Sequence, residues 1–172
     1  MKTSSKPRGI YIFLDFLFFV LLVILDQITK NLAVLYLKDK PAIVIWDGVF
    51  ELHYLENSGA AFGMLQNQKI LFVTIAAVIL VIIGYLLIKL PRNKHYAAME
   101  ILLVLIASGA VGNMIDRVQF NYVVDFFYFK LIDFPIFNVA DIYVSVACVL
   151  LAVLLIFFYK DNDFDFLSKK KE

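Results

Sequence analysis

The chain has little of what most catalytic centres are built from. Its 172 residues include a single cysteine, Cys148. That excludes an internal disulfide framework, a CxxC redox centre and a thiolate-rich metal site. There are two histidines, His53 and His95, too few and too far apart for a zinc motif of the H-E-x-x-H kind. Neither stands where a membrane-embedded Ser/His pair would need it, and the G-x-G-D signature of another intramembrane protease class is missing. No cofactor or metal is expected. A surplus of one charge is also missing: the formal net charge is +1, which leaves no polyanion footprint and argues against nucleic acid. There is no internal repeat.

What the chain has is apolar mass. Hydrophobic residues make up 62% of it, against about 45–50% in soluble domains, and the mean hydropathy is +0.83. Four long apolar segments stand out, and a bilayer crossing needs about 20 such residues. They predict helices over about residues 10–37, 70–90, 97–116 and 138–159 of one membrane domain. The first reads as an uncleaved helix, because no small-x-small cleavage site follows its apolar core. Lys and Arg number ten before the first segment, between the second and third, and after the fourth, against six in the other regions. The positive-inside rule then puts both termini in the cytoplasm and turns regions 26–69 and 116–138 outward.

The first outward region carries strand signals. Asp47-Gly48 is a turn dipeptide between two β-prone runs, and Phe50, Leu52 and Tyr54 alternate with Glu51 and His53. A small hairpin or sheet over about 42–62 follows, resting on the outer membrane surface. Region 118–135, with the aromatic run Phe126–Phe129, reads as a short interfacial helix or loop, and Asp133 as a turn residue. Residues 160–172 read as a mobile cytoplasmic tail. The expected fold class is an α-helical integral membrane protein with four transmembrane helices, a small extracytoplasmic β-sheet and a short outer interfacial helix.

Polar groups collect at the outward ends of the helices, in the stretches D-Q-I-T-K (26–30), N-S-G-A-A-F-G (57–63), G-A-V-G-N-M-I-D-R (109–117), V-V-D-F (123–126) and F-N-V-A-D (137–141). The topology brings all five to one leaflet. Asp125 and Asp141 are the acids that most need explaining, since an aspartate near a transmembrane helix centre costs about 2.5–3.5 kcal/mol. Each has a bland reading: Asp141 as an acid at a helix N-terminus, Asp125 as a solvated loop acid. Several polar groups at one depth weaken both. Two carboxylates in hydrogen-bond range cannot both ionise easily, so one keeps its proton and the other serves as base. Such a pair activates water without a metal, a serine or a histidine.

Other features carry bland alternatives too. Asp26 and Lys30 form an i,i+4 pair. Gly109 and Gly112, with Ala107 and Ser108, suit close helix packing. Asp116-Arg117 suits a helix end, and Gly59-Ala60-Ala61 a turn or a place where a substrate backbone comes close. Trp46 reads as an interfacial anchor, Cys148 as packing, and Asp15 and Glu100 as acids reaching toward headgroups on the cytoplasmic side.

The five stretches, in this order, resemble the motif set of bacterial lipoprotein signal peptidase (signal peptidase II), from Asp26 to Asp141. The resemblance implies an intramembrane aspartyl endopeptidase of the bacterial cytoplasmic membrane with its active site near the outer leaflet. It would cleave the signal peptide of prolipoproteins just before a diacylglyceryl-modified cysteine, act as a monomer among membrane lipid, and be sensitive to the cyclic peptide globomycin. Carried over, Asp125 and Asp141 would be the catalytic pair. Asn57 and Arg117 would help hold substrate. Asp26, Lys30, Gly59, Ala60, Ala61, Phe62, Gly109, Asn113, Asn138 and Ala140 would shape or support the site. The alternatives are an ion-coupled or proton-conducting transporter, since intramembrane acids often mark ion paths, and a non-catalytic assembly or lipid-binding protein.

Overall fold

The computed structural model describes residues 8–59 and 65–168. In chain order its elements are α1 (Arg8–Leu37), β1 (Ile43–Trp46), β2 (Phe50–Asn57), α2 (Lys69–Lys89), α3 (Ala97–Phe120), β3 (Val123–Phe129), a 3₁₀ turn (Lys130–Ile132), α4 (Val139–Phe157), a second 3₁₀ turn (Asp161–Phe164) and α5 (Asp165–Ser168). Helices α1 to α4 are each long and apolar enough to cross a membrane. A helix apolar on all sides must be buried in protein or in lipid. For α1, α2 and α4 protein covers little: Phe13, Val81 and Phe157 are among many large side chains more than 60% exposed.

Helix α3 is the hub on which α1, α2 and α4 pack. Its sequence explains why. Ala107, Ser108, Gly109 and Gly112 give it a low-relief, buried surface, which lets neighbouring backbones come close. A Cβ at Gly109 would lie 2.5 Å from the Ala140 carbonyl oxygen, and one at Gly112 would lie 2.4 Å from Asp26 Oδ2. The first glycine thus admits the start of α4, and the second admits a carboxylate from α1. The hydroxyl of Ser108 is satisfied within the helix, donating to the Val104 carbonyl at 2.8 Å.

The outer sheet is antiparallel in the order β1-β2-β3. Asp47-Gly48 forms the expected turn between the first two strands, with Gly48 at φ +70°, a conformation glycine adopts without strain. The third strand corrects the sequence reading of 118–135 as a short outer helix or loop. Helix α3 runs on to Phe120 and is closed by Asn121 in the left-handed region. The run V-V-D-F-F-Y-F then pairs with β2, opposing Phe50 with Phe129 and Asn57 with Val123. β-Branched and aromatic residues favour this pairing, and the only helical turn left in the region is Lys130–Ile132, closed by Asp133 at φ 47°. Ala33 and Leu37 of α1 pack under Val124 and Phe126, which seats the sheet on the C-terminal end of α1.

Four smaller expectations also change. The alternating face of β2 is not simply wet, for Glu51 is buried and accepts from Lys130 at 2.6 Å and pairs with His53 at 2.8 Å; these partners hold its carboxyl below the usual range. Residues 161–168 are not a free tail: Phe164 and Phe166 pack on the core, and Tyr96 donates to the Asp163 carbonyl at 2.7 Å. Asp15 and Glu100 do not reach outward but share Arg92. Cys148 is exposed on the outside of α4 rather than packed.

The tight approach on α3 predicts opposite outcomes at two glycines. Gly109→Ala loses about 1–3 kcal/mol of stability, because the new methyl meets the Ala140 backbone, which cannot step aside, as well as the Val144 side chain,. Gly84→Ala, where nothing lies within 4 Å, loses none. Thermal unfolding in detergent separates the two.

Candidate active site

The site is built outward from a buried ion cluster. Lys30 of α1 lies 2.9 Å from Asp26 and 3.2 Å from Asp116 of α3. All three side chains are at most 3% exposed. One cation against two carboxylates needs further donors, and neighbouring elements supply them. Ala140 N, at the start of α4, donates to Asp26 Oδ1 at 3.0 Å. Asp26 thereby sits where a helix dipole favours negative charge. Val124 N, at the start of β3, donates to Asp116 Oδ2 at 3.1 Å. Gln27 donates to Asp116 Oδ1 at 2.9 Å and to the Gly112 carbonyl at 3.2 Å. The cluster therefore fixes the starts of β3 and α4 against α1 and α3.

Two acids are positioned by those same starts. Asp125 is the residue after Val124, and Asp141 the residue after Ala140. Asp125 is 1% exposed. It accepts from Asn138 Nδ2 at 2.6 Å and from Asn57 Nδ2 at 2.8 Å. The second bond depends on the irregularity between Leu52 and Leu55 of β2. The extra residue there puts Leu55 opposite Asp125 and Asn57 on its diagonal. Asp141 accepts from Asn113 Nδ2 at 2.8 Å and from Asn138 N at 3.1 Å.

Asn138 stands between the acids. As the N-cap of α4 it accepts from Asp141 N at 3.0 Å, and with Asp141 it completes a capping box,. Its amide nitrogen also donates to Asn113 Oδ1 at 3.1 Å, an atom that accepts from Lys30 at 2.9 Å. The ion cluster thus reaches both acids through Asn113 and Asn138. The cap reading of Asp141 and the shared-site reading are both true of the geometry. Burial pushes the Asp125 carboxyl up to about 7; the charge of Asp141 acts in the same direction, and the amides of Asn57 and Asn138 oppose it.

Both acids open onto one cavity of about 430 Å³. Asn57, Gly59, Asn113 and Arg117 give it polar lining, while Phe134, Pro135, Ile136, Phe137, Ile142 and Val146 form an apolar wall. Arg117 donates to the Gly59 carbonyl at 3.1 Å, and its guanidinium lies over the Phe72 ring, 4.5 Å from the centroid. A second cavity, between α2, α3 and α4, shares Asn113, Arg117 and Asp141 with the first.

Of the residues singled out from the sequence, Asn57, Gly59, Asn113, Arg117, Asp125 and Asp141 line the first cavity. Asp26, Lys30, Gly109, Asn138 and Ala140 lie behind it in the contacts above. Ala60, Ala61 and Phe62 fall outside the described residues. The sequence reading missed Asp116 and Gln27 as members of the cluster. Asp116 was visible only as half of a helix-end Asp-Arg pair. The signal that could have marked it is its spacing from Gly112 and Asn113, which puts all three on one face of α3. The apolar wall 134–137 was missed because Asp133 and Pro135 read as a bare turn.

Comparison with known proteins bears on most of the chain. A family model described as "Signal peptidase (SPase) II" matches residues 18–157. The chain is 46% identical over 136 residues to a protein named lipoprotein signal peptidase from Caldanaerobacter subterraneus subsp. tengcongensis, covering 78% of this chain and 90% of that one. It is 42% identical over 142 residues to the protein of that name from Clostridioides difficile, covering 83% and 94%. Among solved structures, a bacterial membrane enzyme determined by the in meso method at 2.3 Å superposes with a TM-score of 0.77 at 30% identity, over 94% of this chain and 95% of that one. A second, determined at 1.9 Å, gives 0.74 at 31% identity, over 87% and 96%.

The ion cluster makes a strong prediction about stability. Lys30→Met leaves two buried carboxylates without their cation and costs about 3–5 kcal/mol. Lys38→Met, which removes an exposed pair with Glu56, costs at most about 1 kcal/mol. Unfolding of both variants in detergent measures the difference.

Proposed function

The chain belongs to the signal peptidase II family and so is a membrane peptidase that removes signal peptides from prolipoproteins; we propose that it does this as an aspartyl endopeptidase, with Asp125 and Asp141 as the catalytic pair. The observation that carries the proposal is the shared Asn138, whose side chain holds Asp125 and whose backbone holds Asp141. It keeps two acids from separate elements beside one cavity.

In the resting enzyme the pair holds one proton, on Asp125, where burial favours it. Asp141 takes a proton from a water molecule as its oxygen attacks the scissile carbonyl carbon. Asp125 gives its proton to the carbonyl oxygen, forming a neutral gem-diol. As the diol collapses, a hydroxyl proton returns to one aspartate, the C–N bond breaks, and the leaving amine takes the other proton. Arg117 and Asn57 hold the substrate backbone, with Gly59 leaving room for its approach. The apolar wall of Phe134–Phe137, Ile142 and Val146 receives the hydrocarbon of a diacylglyceryl-modified cysteine or of the signal peptide. We place the site at the outer leaflet of the bacterial cytoplasmic membrane, with both termini inside, on the Lys and Arg count. One site per chain needs no partner subunit.

The transporter alternative has a specific observation against it. Between Glu100 and Asn113 the only polar side chain of α3 is Ser108, and its hydroxyl is tied to Val104. The hub helix offers no relay from one end of the bundle to the other.

Cleavage of a diacylglyceryl-modified prolipoprotein by the purified chain tests the roles. Asp125→Asn and Asp141→Asn each lose at least about a thousandfold in rate, within the usual contribution of acid–base groups. Near-wild-type cleavage by either would remove the aspartate pair from the reaction. The pH–rate profile is bell-shaped, and its alkaline limb lies near 7, where Asp125 loses its proton,. Asn57→Ala removes a donor that favours the Asp125 carboxylate, so it moves that limb to higher pH as well as slowing the reaction.

A further inference from the structure

At the end of the bundle away from Asp125 and Asp141, a separate crevice opens between α1 and α2, floored by α3. It measures about 370 Å³, within the range of about 300–1,000 Å³ that ligand sites span. Ala107 on its floor is six residues from Asn113, roughly 9 Å along the helix. Among the described residues α1 and α2 both lean on α3 and hardly meet each other, so the crevice faces the surroundings of the bundle sideways. Its walls are apolar, with Phe16 and Phe19 from α1 and Val104 and Ala107 from α3. Its mouth is not: Arg8 and Arg92 line it.

Arg92 is held in a fixed pose and is incompletely satisfied. One terminal nitrogen donates to Asp15 at 2.6 Å and to Glu100, and the other to the Leu87 carbonyl at 3.0 Å. The side chain is only 10% exposed. Its Nε is buried and has no partner. A guanidinium nitrogen can only donate, and leaving it unpaired in a dry site is unfavourable. Arg8 stands at the same mouth, its guanidinium on the Ile88 carbonyl. Asp15 and Glu100 are already taken by Arg92, so what the mouth lacks is an acceptor, and what the walls lack is hydrocarbon.

We propose that this crevice binds one membrane glycerophospholipid. Its phosphate and ester oxygens accept from Arg8 and from the remaining terminal N–H of the Arg92 guanidinium, and one acyl chain lies along Phe16 and Phe19. The carboxylates of Asp15 and Glu100 are both held on Arg92, so an occupant's phosphate meets arginines that are not swamped by free carboxylate. The site is distinct from the cavity of the aspartate pair and does not depend on that assignment.

Two measurements on the full-length protein in detergent test this. In native mass spectrometry, phosphatidylglycerol and phosphatidylethanolamine bind one per chain about tenfold more tightly than diacylglycerol of the same acyl composition, and Arg8→Gln removes that advantage. In a Trp46→Phe background, Phe16→Trp fluorescence is quenched by phospholipid brominated on its acyl chains, saturating at the same affinity. Equal binding of diacylglycerol, an unchanged phospholipid affinity in Arg8→Gln, or an unquenched Phe16→Trp would each overturn the proposal.

Discussion

Everything at the sheet-bearing end of this protein rests on one buried lysine. Lys30 is surrounded by Asp26, Asp116 and Asn113, and those residues in turn hold the backbone at Ala140 and Val124. A buried ion cluster is weak evidence for stability in itself, because apolar packing of similar volume does as well or better. Its value here is geometric. Helices in lipid have no hydrophobic drive to choose one mutual register over another, whereas a desolvated charge cluster has one satisfactory arrangement. The residues following Ala140 and Val124 are the two acids of the site, so the cluster sets their separation without touching either.

The arrangement also accounts for the smallness of α3. Gly112 makes room for Asp26 and Gly109 for the α4 backbone. Close packing and site construction are therefore one requirement here, not competing explanations for the same glycines. The outer sheet adds the remaining piece. Its bulged β2 brings Asn57 to Asp125, and its underside rests on the last turns of α1. Asp125 sits on a strand seated against the C-terminal end of α1, where burial raises its proton affinity while three asparagines keep both carboxylates in place.

Much of this was legible in the sequence, for identifiable reasons. Lipid demands length and apolarity, so the four helices announce themselves, and polar residues inside or beside them stand out against that background. The strand β3 was harder. Its aromatic run suits an interface as well as a sheet, and only its pairing with β2 decides. Residues 160–172 read as a tail because charged residues outnumber apolar ones there, yet Phe164 and Phe166 find the aromatic cluster around Tyr96 and Tyr159. The joint use of Arg92 by Asp15 and Glu100 joins residues far apart in the chain, and no local pattern signals it. Asp116 was hidden by its neighbour: beside Arg117 it looks like half of a surface pair, while the fold turns the two side chains to different partners.

The account comes down to where one proton sits. Infrared spectroscopy of the full-length protein, titrated from about pH 4 to about pH 9, observes protonated carboxyl groups directly. The account predicts that the difference spectrum of wild type minus Asp125→Asn holds a carboxylic acid band that persists well above the ordinary aspartate range and disappears near pH 7. A band unchanged in Asp125→Asn, or no protonated carboxyl above about pH 5, would contradict it.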